Sequence, residues 1–229
     1  MKLNKEIIEG VFIKESKNRF ICEVSINGEI QECYVPNSSR MENYLNLRKK
    51  HVLLTENKIS GRTKYSLLAV KYYNKYVLLN LNLVSSILES EIKQIFPDYK
   101  SYDVLKEHMF NGYKTDLTLI SPDAQRETVL IEAKGIISTK KSAIFPKVYS
   151  ERAIEQLLKI RELLKCGQKV SYIYVSLSPF VKNIKIEEVT NMYNLLLKEC
   201  ISDGLQVRAI SLKYENGEII ISDYVKVTV

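Results

Sequence analysis

The sequence predicts two modules, a small all-β barrel over residues 1–80 and a mixed α/β domain over residues 81–229. Two observations support this division. Short apolar segments separated by turn residues fill residues 10–80, with no convincing helix among them. Helical periodicity first appears at residues 82–96, and strand-like and helix-like segments alternate from there to the end.

Five strand candidates predict the barrel. F-I-C-E-V-S-I and E-I-Q-E-C-Y-V flank Asn27-Gly28, a dipeptide that strongly favours a hairpin turn. Three more candidates follow, H-V-L-L-T, Y-S-L-L-A-V-K-Y and K-Y-V-L-L-N-L. So many short strands in one small module indicate a closed barrel, and the OB-fold is the simplest choice. Such barrels bind oligonucleotides across one face and its loops.

The first helix of the second module is predicted over residues 82–96. Its apolar residues recur at helical spacing, Asn82 is the candidate cap, and Pro97 ends the pattern. We expect this helix to join the two modules.

The rest of the second module alternates strands and helices. A strand over 102–110 ends at the hairpin signal Asn111-Gly112, and two further strands follow before an amphipathic helix over 150–166. A buried strand, a second helix ending near Gly204, a last strand and a hairpin complete the chain. The order α-β-β-β-α-β-α-β predicts a mixed sheet with helices on its faces.

Asp116, Glu132 and Lys134 form the most informative pattern. Asp116 lies in one predicted strand, and Glu132 and Lys134 lie two apart in the next, so both of their side chains leave the same face. Two neighbouring carboxylates repel unless a cation lies between them, and a divalent metal with oxygen ligands meets that need. A lysine beside them can position water or stabilise charge on a phosphate. This D…ExK arrangement is typical of metal-dependent nucleases with a restriction-endonuclease-like core.

The simpler interpretation is that the D…ExK pattern occurs by chance and that its Glu and Lys are solvated residues at the end of a strand. The apolar residues 129–131 that run directly into Glu132 argue against it, because they indicate a strand covered on both faces. A carboxylate in such a strand is partly desolvated and needs a partner.

Two further acids are candidates for the same site. Glu107 precedes the Asn111-Gly112 turn and could lie across from Asp116 as a third metal ligand. Glu151 lies in the first turn of the 150–166 helix and could act as a catalytic, water-positioning group. Stabilisation by the helix dipole is the alternative explanation for Glu151.

The positive charge is concentrated in the first module. The net charge is +7; residues 1–80 hold 14 Lys or Arg against 8 Asp or Glu, whereas residues 81–229 hold 20 against 19. A basic barrel that holds a polyanion for a second domain to cut fits this distribution, and an ordinary lysine-rich surface fits it as well.

Candidate nucleic-acid contacts occur in both modules. They are Asn37, Ser38, Arg40, Lys49, Lys50, Arg62, Lys64, Lys140, Lys141 and Arg152. The barrel is also rich in tyrosines that could stack on bases, most of which we expect to be ordinary barrel and rim residues; they are Tyr34, Tyr44, Tyr65, Tyr72, Tyr73 and Tyr76.

Composition excludes several other classes. The chain has no run of eighteen apolar residues, and its charged N-terminus lacks the apolar core of a signal peptide. The four cysteines are widely spaced and form neither a zinc motif nor a disulfide framework. We therefore expect buried thiols in a cytoplasmic protein.

Several separate segments together resemble the sugar fermentation stimulation protein A family. They are R-F-I-C-E-V at 19–24, P-N-S-S-R-M at 36–41, Y-S-L at 65–67, K-T-D at 114–116, E-A-K at 132–134 and F-P-K-V-Y-S-E-R at 145–152. The resemblance covers nearly the whole chain. It implies an OB-fold joined to a nuclease-like domain, and DNA binding.

The chain departs from the family pattern at four positions. Ser39 and Ala153 replace glycines, Lys147 replaces an aspartate, and Gln156-Leu157 stands where the family often has His-Leu. The residues Asp116, Glu132 and Lys134 match the family motif, so the departures affect substrate contacts rather than the central triad.

The sequence thus predicts a metal-dependent nuclease that acts on DNA or RNA. Asp116, Glu132 and Glu107 would bind Mg²⁺ or Mn²⁺, with Lys134 and Glu151 assisting catalysis. One alternative is a DNA-binding regulator with a catalytically silent nuclease fold. Another is a barrel that binds a protein or a small anion. The sequence leaves a homodimer open.

Overall fold

The structure, a computed structural model, describes residues 1–37, 40–57, 61–123, 128–147, 150–187 and 192–229. Ser38, one of the predicted nucleic-acid contacts, and Ser39 lie outside the described residues.

A closed barrel occupies the N-terminal third of the chain. Its strands are β1 (Ile7–Glu15), β2 (Ile21–Ile26), β3 (Glu29–Tyr34), β4 (His51–Glu56), β5 (Tyr65–Tyr72) and β6 (Lys75–Leu78). The sheet runs in the order β3-β2-β1-β4-β5-β6, and a parallel pairing of β3 with β5 closes β1 to β5 into a ring. This closure confirms the predicted OB-fold.

Strand β1 is absent from the sequence prediction, which starts the barrel at Phe20. The part of the barrel that the structure describes has six strands, and β1 pairs with both β2 and β4, so the ring depends on β1. Charged residues such as Glu9 and Lys14 interrupt the apolar alternation, so the sequence pattern does not predict this strand. The predicted fifth strand, β6, is instead a hairpin partner of β5 outside the ring.

The second module is built around a six-stranded mixed sheet in the order β16-β15-β13-β11-β10-β7. Its strands are β7 (Asp103–Lys106), β10 (Leu117–Ile120), β11 (Val129–Ile136), β13 (Lys169–Ser176), β15 (Gln206–Glu215) and β16 (Glu218–Tyr224). Strands β11, β13 and β15 are parallel and the outer strands are antiparallel. Within the described residues the α-helices are α1 (Val84–Ile95), α2 (Glu151–Lys165) and α3 (Met192–Ser202). The α/β fold with a mixed sheet was predicted and is confirmed.

The structure also describes two smaller sheets. Residues 109–114 form the hairpin that Asn111-Gly112 predicts, with β8 (Met109–Phe110) and β9 (Tyr113–Lys114) as its strands, but the predicted 102–110 strand is divided between β7 and β8. A parallel sheet contains β12 (Ser142–Phe145), β14 (Asn183–Ile186) and β17 (Lys226–Thr228). Segments this short give little periodicity, so the sequence prediction treated the β12 region as a loop.

Helix α1 begins later than predicted. The side chain of Asn80 accepts a hydrogen bond from the backbone N–H of Asn82, and the turn over Leu81–Leu83 precedes the α-helix. Asn80, and not Asn82, therefore supplies the cap at this end.

The two modules share one apolar core. Barrel residues such as Phe12 and Leu54 belong to the same buried cluster as Ile173 and Leu212 of the second module. The backbone N–H of Leu78 in β6 also donates to the carbonyl of Leu177 at 2.8 Å. This continuity fixes the barrel against the second sheet.

Three of the four cysteines are buried, as expected. Burial raises the pKa of Cys33 and Cys200 to about 11 and raises the pKa of Cys22 as well. Cys166 is exposed, contrary to the expectation, because it lies at the C-terminal cap of α2. Among the described residues, no helix is both long and apolar enough to cross a bilayer.

We expect Gly10→Ala to destabilise the protein by about 1–3 kcal/mol, because a Cβ at Gly10 in β1 would lie 2.6 Å from Cγ1 of Val24 and 2.9 Å from the carbonyl oxygen of Ser25. Urea unfolding measures this loss. Glu9→Ala, on the exposed neighbouring position, is the control and should change little. Equal unfolding midpoints for the wild type and Gly10→Ala would contradict this view of the β1–β2 packing.

Candidate active site

The D…ExK residues meet at the edge where β10 and β11 run side by side. Glu132 lies inside β11 and is only 3% exposed. Asp116 precedes β10 and is not part of it, which corrects the prediction of an in-strand position. The backbone N–H of Ala133 donates to Oδ2 of Asp116 at 2.7 Å, so this bond places the first carboxylate beside the second strand.

Three side chains donate to the buried carboxylate of Glu132. Nζ of Lys134 and Nε2 of Gln156 donate to Oε1 at 2.7 and 2.9 Å, and the hydroxyl of Tyr113 donates to Oε2 at 2.7 Å. These donors come from β11, α2 and β9. Because a buried carboxylate without hydrogen-bond partners is costly, these three donors offset the burial of Glu132.

Lys134 is held on two sides. Its Nζ also donates to Oε1 of Gln156 at 2.5 Å, and it lies 5.8 Å from the ring centre of the buried Tyr172. The hydroxyl of Tyr172 is in turn hydrogen-bonded to that of Tyr193, which is also hydrogen-bonded to the hydroxyl of Tyr174. The ammonium group is thus fixed in position, with 18% of its side chain accessible to solvent.

The electrostatics of Asp116 reflect a crowded acidic site. Burial, followed by the negative charge of Glu132, raises the pKa of Asp116 to about 6. The Ala133 N–H and the cations Lys134 and Arg152 oppose this rise. Burial and Glu132 also raise the pKa of Tyr113, so its hydroxyl remains a hydrogen-bond donor.

A cavity of about 620 Å³ opens onto these residues. Asp116, Glu132 and Lys134 line it together with residues 135–140, the start of α2 and Tyr44 of the barrel. Lys140, Lys147 and Arg152 contribute positive charge to its walls. The lining residues therefore combine an acidic cluster with cations, and they come from both modules.

Two predicted acids do not join this cluster. Glu107 lies across from Asp116 in the backbone, since its N–H donates to the Asp116 carbonyl, but its side chain is exposed and accepts from Lys114 Nζ at 2.5 Å. Its φ of 52° turns the backbone into the left-handed region at this point. Glu151 is exposed at the first position of α2 and is not among the cavity residues; the next residue, Arg152, lines the cavity.

Most predicted nucleic-acid contacts of the barrel already have structural partners. Asn37 is buried, with Nδ2 3.1 Å from the sulfur of Met41. The guanidinium of Arg40 donates to the carbonyls of Ser16 and Lys17, where it supports the loop before β2.

The other basic residues of the barrel that were predicted to contact nucleic acid are at least partly exposed. Arg62 pairs with Glu32, Lys64 lies 3.6 Å from Glu56, and Lys50 lies over the ring of Tyr72. Lys49 is exposed, as are Lys140 and Lys141 of the second module. Of the nine predicted contacts that the structure describes, Lys140 and Arg152 line the cavity.

Tyr113 and Gln156 were not predicted as site residues. Gln156 follows Arg152 by about one helical turn, so the two share the face of α2 that meets the cavity. Tyr113 comes directly after the Asn111-Gly112 turn, three residues before Asp116. Neither residue type signals chemistry by itself, and only the folded arrangement brings both to Glu132.

The donor set available to a metal is small. Within the part of the chain that the structure describes, no group of three or more His, Cys, Asp or Glu side chains could hold an ion. Asp116 and Glu132 supply two carboxylates, so a bound cation would need backbone oxygens, substrate oxygens or water to complete its coordination.

Known proteins match along the whole chain. A family model described as the SfsA N-terminal OB domain matches residues 15–79, and one described as the Sugar fermentation stimulation protein RE domain matches residues 79–218. A sugar fermentation stimulation protein homolog from Natranaerobius thermophilus is 30% identical over 176 residues, covering 74% of this chain and 72% of that protein. A homolog from Clostridium kluyveri is 26% identical over 231 residues, covering 99% of both chains.

A solved structure described as Pyrococcus furiosus SfsA in complex with Ca²⁺ has the same fold. It matches with a TM-score of 0.85 and 22% identity, over 100% of both chains.

We expect Tyr113→Phe to lower the free energy of unfolding by about 1–3 kcal/mol, because the buried Oε2 of Glu132 would lose the donor that the hydroxyl supplies. Tyr73→Phe is the matched control, since Tyr73 is 89% exposed. Urea unfolding of both variants measures the difference. Equal stability of the two variants would show that Glu132 does not depend on the Tyr113 hydroxyl.

Proposed function

The chain belongs to the sugar fermentation stimulation protein (SfsA) family, and we propose that it is a metal-dependent nuclease that cleaves phosphodiester bonds of DNA or RNA. One observation carries the proposal: Asp116, Glu132 and Lys134 line a single cavity that also contacts the OB domain. The OB domain would hold the nucleic acid while the cavity receives the scissile phosphate.

The residues present fit a divalent cation. Asp116 and Glu132 would bind Mg²⁺ or Mn²⁺ through hard carboxylate oxygens, and the oxygen Oε2 of Glu132 accepts one protein hydrogen bond and retains a second lone pair. The Pyrococcus furiosus relative described as a Ca²⁺ complex supports cation binding by this fold. A bound cation would supply Lewis-acid activation of the phosphate and of a water molecule.

The protein's own groups would position the reactants. The Lys134 ammonium, fixed by Glu132 and Gln156, would donate a hydrogen bond to the attacking water or to a phosphate oxygen. Arg152 and Lys140, in the cavity wall, would bind the phosphates on either side. Hydrolysis adds the water oxygen to phosphorus, breaks one P–O ester bond and delivers a proton to the leaving oxygen.

The second candidate function is a nucleic-acid-binding regulator with a silent nuclease fold. The hydrogen bonding of Oε1 of Glu132 favours it, since this oxygen already accepts bonds from both Lys134 and Gln156. A carboxylate with three protein donors can serve a structural role alone. A metal-dependence test of cleavage separates the two functions.

Asp116→Asn and Lys134→Ala are each expected to reduce cleavage by at least about 100-fold, because each removes a group that would stabilise the transition state. The assay uses labelled single-stranded DNA, duplex DNA and RNA in Mg²⁺, Mn²⁺ or EDTA. Glu155→Gln, at an exposed position of α2, is the control and should cleave like the wild type. Unchanged cleavage in both site variants would overturn the assignment, and metal-independent binding without cutting would favour the regulator.

Divalent cations should raise the melting temperature of the wild type, because a ligand that binds only the folded state stabilises it by about 2.7 kcal/mol at a hundredfold excess over Kd. Thermal unfolding in Mn²⁺, Ca²⁺ or EDTA measures the shift. Asp116→Asn and Glu132→Gln should lose the shift, and Glu155→Gln should keep it. A full shift in both site variants would place the cation elsewhere.

A further inference from the structure

Tyr73 has an unusual position in the β5–β6 turn. Its backbone φ is 53°, a left-handed conformation that favours Gly or Asn, and its side chain is 89% exposed. At three other hairpin turns of this chain the residue with this conformation is Asn27, Asn111 or Asn216, each followed by glycine. Burial of the ring cannot explain a tyrosine here, so the strained backbone instead points to a use for the exposed ring.

Phe180 extends the aromatic surface of Tyr73 into the second module. The two ring centres are 6.3 Å apart with an interplanar angle of 73°, an edge-to-face arrangement. The Nζ of Lys75 lies 5.9 Å from the centre of the Phe180 ring. Tyr73, Phe180 and Lys75 thus form one aromatic and cationic platform across the two modules.

Backbone hydrogen bonds connect the loop of Phe180 to the segment 136–141, part of which lines the candidate active-site cavity. Phe180 is in the loop after β13, where the N–H of Leu177 donates to the carbonyl of Ile136 and the N–H of Lys182 donates to the carbonyl of Lys141, both at 2.8 Å. Ile136 and Lys140 line the cavity. The loop that carries Phe180 is therefore bound at both ends to the segment that forms the cavity wall.

The charge near the platform suits a polyanion. Among the described residues, no ion pair within 4.0 Å involves Lys75, Lys140 or Lys141. Lys182 pairs with Asp223, and the pKa of that carboxyl is lowered first by Lys182 and also by the charge of Lys75. Lys75 at the Phe180 ring, and Lys140 and Lys141 in the segment bonded to the Phe180 loop, supply positive charge for the phosphates of an unpaired strand. The exposed Tyr73 ring supplies a surface on which a base can stack.

We propose that Tyr73, supported by Phe180, is a stacking platform for an unpaired base of a single strand whose neighbouring phosphates contact Lys75, Lys140 and Lys141. The inference rests on the proposed function, because the strand is the substrate that enters the cavity. Tyr73 lies in the β5–β6 turn, a different segment of the chain from the loop that precedes β2 and from Arg62 and Lys64 between β4 and β5.

The test compares Tyr73→Asn with Tyr73→Phe. Asparagine suits the left-handed backbone, so Tyr73→Asn should be at least as stable as the wild type while it lacks the ring. Binding of a short single-stranded DNA that contains 2-aminopurine is measured in EDTA, so that bound strands are not cut. We expect Tyr73→Asn to bind about 5-fold or more weakly and to lose the stacking-induced fluorescence change, and Tyr73→Phe to retain both.

Three outcomes would overturn the platform. Tyr73→Asn could bind single strands as tightly as the wild type. It could instead weaken single-strand and duplex binding equally without a fluorescence difference, which would exclude stacking. A wild type that cleaves duplexes but binds no single strand would overturn the platform and leave the proposed function standing, whereas a wild type that neither binds nor cleaves nucleic acid would overturn both.

Discussion

The buried carboxylate of Glu132 is the constraint on which the site depends. It lies in the central strand β11, only 3% exposed, so its charge must be matched by donors from within the protein. Those donors come from the hairpin strand β9, from β11 itself and from helix α2. Satisfying one carboxylate therefore fixes three elements relative to each other, and the same contacts hold Lys134 and bring Arg152 to the cavity wall.

The junction between the modules supplies the second half of the site. A common apolar core and the bond from Leu78 to Leu177 join the barrel to the main sheet. Lys147 reaches across to the carbonyl of Asn43 and lies 4.9 Å from the ring centre of Tyr44. Because Tyr44 lines the cavity, the OB domain forms part of the wall around the acidic cluster. A nucleic acid bound to the barrel would thus already be near the candidate catalytic groups.

The sequence was informative where local pattern determines structure. Strict alternation and Asn-Gly turns revealed most of the barrel, and the apolar run before Glu132 identified a covered strand. The sequence-based prediction of site residues failed where the direction of a side chain, or a partner distant in the sequence, determines which residues meet. Glu107 is opposite Asp116 as predicted, yet a left-handed backbone and Lys114 turn its side chain away.

Long-range contacts explain the other differences. The charged residues of β1 disrupt its apolar alternation, and the strand is defined instead by its pairing with β2 and β4. The guanidinium of Arg40 likewise donates to the carbonyl of a residue more than twenty positions earlier in the chain. Tyr113 and Gln156 gain their roles only when the hairpin and α2 close over Glu132. Such contacts depend on tertiary packing, which no single sequence pattern encodes.

Anomalous diffraction from crystals grown with Mn²⁺ tests the central claim most directly, because it locates the ion without relying on activity. We expect a manganese peak in the cavity, in contact with carboxylate oxygens of both Asp116 and Glu132, and no such peak in Asp116→Asn crystals. A cavity without manganese at a concentration that supports cleavage, or an ion bound away from both carboxylates, would contradict it.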